Sequence, residues 1–229
     1  ALIRSLESPN PVANTNGNFG FSMAGVPDIN SDGKGDVLVG AARDASGAAG
    51  AGKAYLFSGA DGTIIQTFSS PNAELNGAFG IAVATLPDLN SDGKSEFLIG
   101  AVSEDSTTTN GGRAYVFSGT GSLITTLESP NKQVDGDFGA RVAVVPDVDG
   151  DGKADYAIAG WKETVSAQIN AGRVYVFSSS NHTVLQTLQS PSPRPGPKNV
   201  LADLGNFGTG IAGLQDINND GSGDVVVSA

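Results

Sequence analysis

The chain has no cysteine, and only one histidine, one tryptophan and one methionine among its 229 residues. Without thiols there can be neither a disulfide framework nor a thiolate metal site, which excludes zinc ribbons and cysteine nucleophiles. The lone histidine, His182, stands between Asn181 and Thr183 with no acid or nucleophile at a recognisable spacing. A Gly-x-Ser-x-Gly elbow and a phosphate-cradling glycine loop are missing too, so the chain reads as non-enzymatic. No apolar run approaches the roughly 18 residues of a membrane-spanning helix, and the N-terminus lacks the charged-then-apolar pattern of a signal peptide. The chain opens on Ala1 and its methionine is Met23, as in a processed or excised segment. Basic residues are also scarce, 13 against 24 acidic, and the formal charge of −11 argues against non-specific binding to nucleic acid or anionic membrane.

What is abundant is a repeat. Phe-Gly recurs at Phe19-Gly20, Phe79-Gly80, Phe138-Gly139 and Phe207-Gly208, a period of about sixty residues. Each unit continues with a short apolar stretch, an acidic loop, and an apolar run ending near Gly-Ala. After a variable loop comes Arg/Lys-Ala/Val-Tyr-Val/Leu-Phe-Ser, then a Thr/Leu/Ile-rich run closing on Ser-Pro. The runs are short, rich in β-branched and aromatic residues, and bounded by Gly, Asn, Asp and Pro, so each unit reads as four strands, A to D. In the first unit these are Phe19–Val26, Asp36–Ala41, Lys53–Ser58 and Ile64–Phe68. The B runs Val37-Leu38-Val39, Phe97-Leu98-Ile99 and Val225-Val226-Val227 are apolar on both faces, as in strands buried between two neighbouring sheets.

Four-stranded antiparallel sheets buried on both sides make the blades of an all-β propeller; a two-sheet sandwich has no reason to repeat all four strands with the same loop. The units fall near 19–78, 79–137, 138–206 and 207–229, with strand D of a preceding unit at 2–8, all within one domain over 1–229. Strand C is then one short, which predicts an incomplete ring: part of a seven- or eight-bladed propeller, or a half that associates with another copy or with further blades. The loops between B and C, and the proline-rich stretch from Pro191 to Asn206, vary most.

The acidic loop is nine residues long and puts oxygen donors at positions 1, 3, 5 and 9. The four sets are Asp28, Asn30, Asp32 and Asp36; Asp88, Asn90, Asp92 and Glu96; Asp147, Asp149, Asp151 and Asp155; and Asp216, Asn218, Asp220 and Asp224. Position 6 is always glycine, which permits the sharp turn that lets the position-7 carbonyl of Lys34, Lys94, Lys153 or Ser222 point inward. Hard oxygen donors converging on one point suit calcium, one ion per loop and about four in all. An EF-hand would need a glutamate at position 12 and a helix after it, whereas position 12 is Val39, Ile99, Ile158 or Val227 and a strand follows. Magnesium prefers a rigid octahedron that retains waters. The loops hold thirteen of the 24 acidic residues, so four divalent cations would bring the formal charge from −11 to −3.

Phe-Gly, the Asp-x-Asn/Asp-x-Asp-Gly-x-x-Asp/Glu loop and the trailing Gly-Ala, repeated in that order, resemble the FG-GAP repeats of the integrin α-subunit N-terminal propeller. The resemblance covers nearly the whole chain. It implies calcium in the A–B hairpin loops, an extracellular location, secreted or at the cell surface, and a role in adhesion or ligand binding. Some bacterial surface proteins and fungal lectins are similar, so a carbohydrate-binding lectin, a scaffold of a surface assembly and the propeller module of a polysaccharide-active enzyme are the alternatives. Gly-Ala is followed by Ala42 or Val102 where the pattern has proline, and the third copy reads Ala159-Gly160-Trp161. These departures and the lack of cysteine set the chain apart from an integrin proper, and point towards a bacterial or simple-eukaryotic secreted protein.

Antiparallel order puts A–B and C–D turns on one rim, and B–C and D–A loops on the other. The family's ligand face is the latter, so a protein or glycan partner is expected opposite the calcium. Trp161 is expected between blades, His182 as an exposed turn residue, and Arg113 and Arg173 as partners of a neighbouring blade.

Overall fold

The computed structural model describes residues 4–10, 17–194 and 207–229. Among them are fourteen strands and no helix. Blade 1 comprises β1 (Phe19–Val26), β2 (Asp36–Ala41), β3 (Lys53–Phe57) and β4 (Ile64–Ser69). Blade 2 comprises β5 (Phe79–Leu86), β6 (Glu96–Ala101), β7 (Arg113–Phe117) and β8 (Leu123–Glu128). Blade 3 comprises β9 (Phe138–Val145), β10 (Asp155–Gly160), β11 (Arg173–Phe177) and β12 (Val184–Gln189), and blade 4 has β13 (Ile211–Leu214) and β14 (Asp224–Val227). Within each blade the strands pair in chain order, always antiparallel. The sheets stand side by side as blades of an incomplete propeller and do not close into a ring.

Strand bounds follow the sequence expectation closely: A and B of the first unit coincide with β1 and β2, C is one residue shorter and D one longer. The expected strand over 2–8 is not seen where it can be judged. Residues 4–8 lie in no strand, and Leu2 and Ile3 fall outside the described residues. The insertion from Pro191 to Asn206 lies outside them from 195 onward.

The core is divided among the gaps between blades. Leu38, Leu56 and Phe68 of blade 1 pack with Phe97, Ile99 and Phe117 of blade 2. Leu98, Val116 and Leu127 of blade 2 meet Phe138, Tyr156 and Phe177 of blade 3. β6 and β10 are buried along their whole length, because an inner strand in a stack of blades has apolar contact on both faces.

The Phe-Gly motif joins one blade to the next. The Phe79 N–H donates to Ala51 O at 2.8 Å, Phe138 N–H to Gly111 O at 3.1 Å and Phe207 N–H to Ala171 O at 3.0 Å, so each blade's first residue is tied to the preceding blade's B–C loop. Phe79 and Phe138 are fully buried and Phe207 nearly so. The glycine that follows sits at φ 86° in Gly80 and 90° in Gly139. A Cβ there would stand 2.3 Å from Lys53 O and 2.2 Å from Arg113 O respectively. Both conformation and space therefore demand glycine.

Candidate metal centre

The acidic loops join the first two strands of each blade, and their internal bonding is the same in all four. The position-1 carboxylate accepts two backbone N–H groups: Asp28 from Asp32 (3.1 Å) and Gly33 (2.7 Å), Asp88 from Asp92 (3.2 Å) and Gly93 (2.8 Å). Asp147 and Asp216 repeat this with Asp151 and Gly152, and with Asp220 and Gly221. Position 3 caps the position-5 N–H through Asn30, Asn90, Asp149 or Asn218. Position 5 accepts from the position-7 N–H of Lys34, Lys94, Lys153 or Ser222. The loop glycines Gly33, Gly93, Gly152 and Gly221 all have φ between 83° and 90° with open space around a notional Cβ, so it is conformation that selects glycine here.

Position 9 lies deepest. Asp36 is 2% exposed, and Glu96 and Asp155 are wholly buried. Their carboxylates bind the start of the loop, Asp36 accepting from Ile29 N–H at 2.9 Å and Asp155 from Val148 N–H at 2.8 Å; Leu89 N–H donates likewise to Glu96 and Ile217 N–H to Asp224. The other oxygen of Asp36 and of Asp155 accepts from the C–D turn, Gly59 N–H at 3.1 Å and Ser179 N–H at 2.9 Å. Burial raises the carboxyl pKa of Glu96 and Asp155. Exposed Asp32 is held below the usual range by the Ser58 hydroxyl and the Asn30 amide, Asp151 by the Ser180 hydroxyl, and Asp216 by the Gly221 N–H.

These contacts place the A–B and C–D turns on one rim, as expected. On the other, Asn76 N–H donates to Ala49 O at 2.9 Å and Asp135 N–H to Thr109 O at 3.0 Å, joining D–A loops to B–C loops.

Two loops gather three carboxylates each. Oxygens of Asp88, Asp92 and Glu96 lie within 4.8 Å of one another, and so do those of Asp147, Asp149 and Asp151. Ligands at 2.3–2.6 Å from one ion can be no more than about 5.2 Å apart, so both groups fit a calcium-sized cation in distance and donor type. Glu96 joins its group because its side chain is one methylene longer than the aspartate elsewhere at position 9. In the first and fourth loops position 3 is asparagine and the closing residue is the shorter aspartate, and the same nine-residue bonding pattern holds.

A second recurring acid escaped the sequence reading. Three residues beyond strand B of each complete blade stands Asp44, Glu104 or Glu163, buried at the B–C loop. Each accepts a hydrogen bond from the strand-C tyrosine hydroxyl: Tyr55 to Asp44 at 2.6 Å, Tyr115 to Glu104, and Tyr175 to Glu163. The Ser-Pro end of the preceding blade locks onto the pair. Ser70 Oγ donates to Tyr115 Oη at 3.3 Å, Ser129 Oγ to Glu163, and Asn131 Nδ2 to Glu163 at 3.2 Å. This is an inter-blade latch, and its readable cue is an acid three residues past strand B in each complete blade.

Burial pushes the Glu104 carboxyl up to about 7, with one of its oxygens lacking a hydrogen-bond partner. A carboxyl raised above its unfolded value is protonated when folded and ionised when unfolded, so it removes stability as pH climbs from about 4.5 to 7. Glu104→Gln is expected to flatten that part of the profile and to be the more stable form at pH 8. Urea unfolding of both proteins at pH 5 and pH 8 checks this; equal pH dependence would count against it.

Four residues differ from expectation. His182 is half-buried, its Nδ1 hydrogen-bonded to the Tyr156 hydroxyl at 2.8 Å, and burial lowers its pKa. Trp161 is half-buried at the B–C rim, donating to Asp137 at 2.8 Å with the Arg141 guanidinium 5.0 Å above its ring. Arg113 and Arg173 pair within their own blade, with Glu128 at 3.2 Å and Glu163 at 3.3 Å, because strand D and the B–C loop lie nearer than the next sheet.

Residues 19–57 and 79–117 match the FG-GAP repeat family. The chain is 29% identical to integrin alpha-4 of Xenopus laevis over 184 residues, 78% of this chain and 17% of that protein. It is 30% identical to integrin alpha-X of Mus musculus over 169 residues, 69% of this chain and 14% of that one. Integrin alpha-3 of Cricetulus griseus shares 31% over 160 residues, 66% and 14%. The chain thus spans less than a fifth of the length of these relatives. No helix among the described residues is long and apolar enough to cross a membrane. The chain is built from FG-GAP repeats and is similar in sequence to integrin α-subunits.

Proposed function

We propose that this chain is a calcium-stabilised propeller module for extracellular adhesion or ligand recognition, secreted or at the cell surface, without catalysis of its own. The observation that carries the reading is the fourfold recurrence of one oxygen-lined loop on one rim, with the variable loops gathered on the other. Each ion would be held by the side chains at positions 1, 3, 5 and 9 and by the carbonyl at position 7. In blade 2 these are Asp88, Asn90, Asp92, Lys94 and Glu96. The ion supplies charge neutralisation and cross-linking of the hairpin, and no reaction step.

The partner is placed on the B–C and D–A rim and is a protein. That rim carries exposed aliphatic side chains, Leu75 at 67%, Val134 at 61% and Ile169 at 46%. Its one tryptophan among the described residues is committed to Asp137 and Arg141. A sugar-binding surface wants an aromatic ring free to stack, whereas exposed aliphatic residues suit a protein interface. Binding of the chain to arrays of extracellular-matrix proteins and of glycans tests this. Capture of a protein, lost in Leu75→Asp and Val134→Asp but kept in Ser91→Ala on the metal rim, is the expected result; glycan capture indifferent to the rim variants would overturn it.

A further inference from the structure

The three acid–tyrosine latches share one plan, but the one that joins blade 1 to blade 2 is short of donors. In blade 1, Asp44 Oδ1 accepts from Ser46 N–H at 2.8 Å and from Asn10 Nδ2 at 3.1 Å, and Oδ2 accepts from Tyr55. In blade 3, Glu163 Oε1 accepts from Ser129, and Oε2 from Tyr175, Asn131 and, at 3.3 Å, Arg173. In blade 2, Glu104 Oε2 accepts from Tyr115, while Oε1 is buried without a partner. The residues that could serve it turn elsewhere. Arg113 bonds Glu128 at 3.2 Å, Ser70 donates to the Tyr115 hydroxyl at 3.3 Å, and Asn72, in the place of Asn131, is exposed.

The same corner holds a second acid. Glu74 of the D–A loop stands where Gln133 stands before blade 3; it is half-buried, and its carboxylate accepts from the Asp105 N–H next to Glu104. On the other side of Glu104, Ser103 N–H donates to Gly77 O at 3.2 Å, so the D–A loop is seated on the B–C loop across this acid. Gly77 is buried in the contact: a Cβ there would stand 2.8 Å from Glu104 Cγ, 3.4 Å from Glu74 O and 3.5 Å from Glu104 Oε1. The remaining charged and titratable groups around Glu104 are Tyr115 and Arg113 of β7 and its own neighbour Asp105. Burial raises the Tyr115 pKa, so that hydroxyl stays a donor. Arg113 is held by Glu128, and Asp105 turns its carboxylate to Asn110 N–H at 2.8 Å.

We propose that Glu104 and Glu74 form a pH-sensitive clasp: the D–A loop that carries Leu75 is seated on blade 2 while Glu104 is neutral, and is released when both acids are charged. A neutral carboxyl needs no counter-charge in this buried corner, and its proton turns Oε1 into a donor with the Glu74 carbonyl nearby to accept. Once ionised, Oε1 is a buried charge without a donor, set beside a like charge. Burial above all, with the Glu74 charge adding to it, holds the Glu104 carboxyl up at about 7 in the seated loop, against an ordinary value of 4.5. Between those two values the seated form binds the extra proton, so each pH unit of rise there favours release by about tenfold, and the effect levels off above 7. That the clasp governs a partner at Leu75 rests on the ligand reading above; the loop transition does not.

Hydrogen exchange of the Ser103 and Asp105 amides, measured by NMR in calcium-containing buffer and divided by the intrinsic rate at each pH, reads the release directly. From pH 5 to pH 7 the opening constant is expected to rise roughly 10- to 100-fold in the parent. Glu104→Gln, which cannot ionise, should hold it level, and Glu74→Gln, which removes the repelling charge, should shrink the rise without abolishing it. The Asp135 amide is the internal reference. It ties the next D–A loop to Thr109 O, where Glu163 has both oxygens bonded, and its opening should not follow that course. A level profile for Ser103 and Asp105 in the parent overturns the proposal, and so does a rise that persists in folded Glu104→Gln. Failure to capture a protein partner would leave the result standing, because the amides are read without one.

Discussion

Excess chelator is expected to lower the melting temperature of this chain sharply, and added calcium to restore it. Without the ions, three or four carboxylates crowd each A–B turn, thirteen in all. The backbone N–H groups that now satisfy Asp28, Asp88, Asp147 and Asp216 do not neutralise their charge. A ligand that binds only the folded state at a free concentration a hundred times its dissociation constant adds about 2.7 kcal/mol per site. For a domain of this length that is about 5–10 °C for one site alone, and four such sites would approach a typical domain's whole stability of about 5–15 kcal/mol. Magnesium at the same concentration should restore less, because it holds its waters and wants a stricter octahedron. Differential scanning calorimetry in calcium, in chelator, and in chelator followed by excess calcium is the measurement. A melt that does not move would mean that the loops are metal-free turns.

Much of this architecture was legible in the residues, and the parts that were not share a cause. Strand limits at Phe19–Val26 and Asp36–Ala41 could be read because local chemistry fixes them: Phe-Gly opens the first strand, and the acidic loop ends one strand and begins the next. Strand C ends at Phe57, one residue before the expected Ser58, and strand D runs on to Ser69, one past the expected Phe68; a serine at either limit suits strand and turn alike. The two rims followed from strand parity alone. Partners that depend on register did not. Arg113 is opposite Glu128 across β7 and β8, a pairing that no spacing in the sequence announces. The acid–tyrosine–serine latch draws on residues from two repeats, with Ser70 and Tyr115 45 residues apart. His182 looked like a solvated turn residue because its neighbours are polar, but its left-handed backbone (φ 61°) carries the ring to Tyr156. In each case a side chain reaches beyond its own strand or turn, and periodicity is silent about that.

Phe138→Ala is the single substitution with the greatest expected cost. Phe138 is the motif phenylalanine of blade 3, wholly buried, and its ring centre lies 6.1 Å from that of Tyr175 and 6.2 Å from that of Phe177. It also packs with Leu98, Val116 and Leu127 of the preceding blade, so it fills the gap where two sheets meet. Truncation removes the ring's transfer free energy and leaves a cavity, together about 3–5 kcal/mol. Collapse around the void is restricted because the backbone beside it is already tied, Phe138 N–H to Gly111 O and Gly139 locked against Arg113 O. At about 2–4 °C per kcal/mol for a chain of this length, the melting temperature should fall by about 6–20 °C. Phe138→Leu keeps most of the volume and should lose clearly less, while Leu75→Ala, at a side chain 67% exposed, should stay within about 0.5 kcal/mol of the parent. Calorimetry of the three variants in calcium orders them. If Phe138→Ala melted with the parent, the motif phenylalanines would not be what holds one blade to the next.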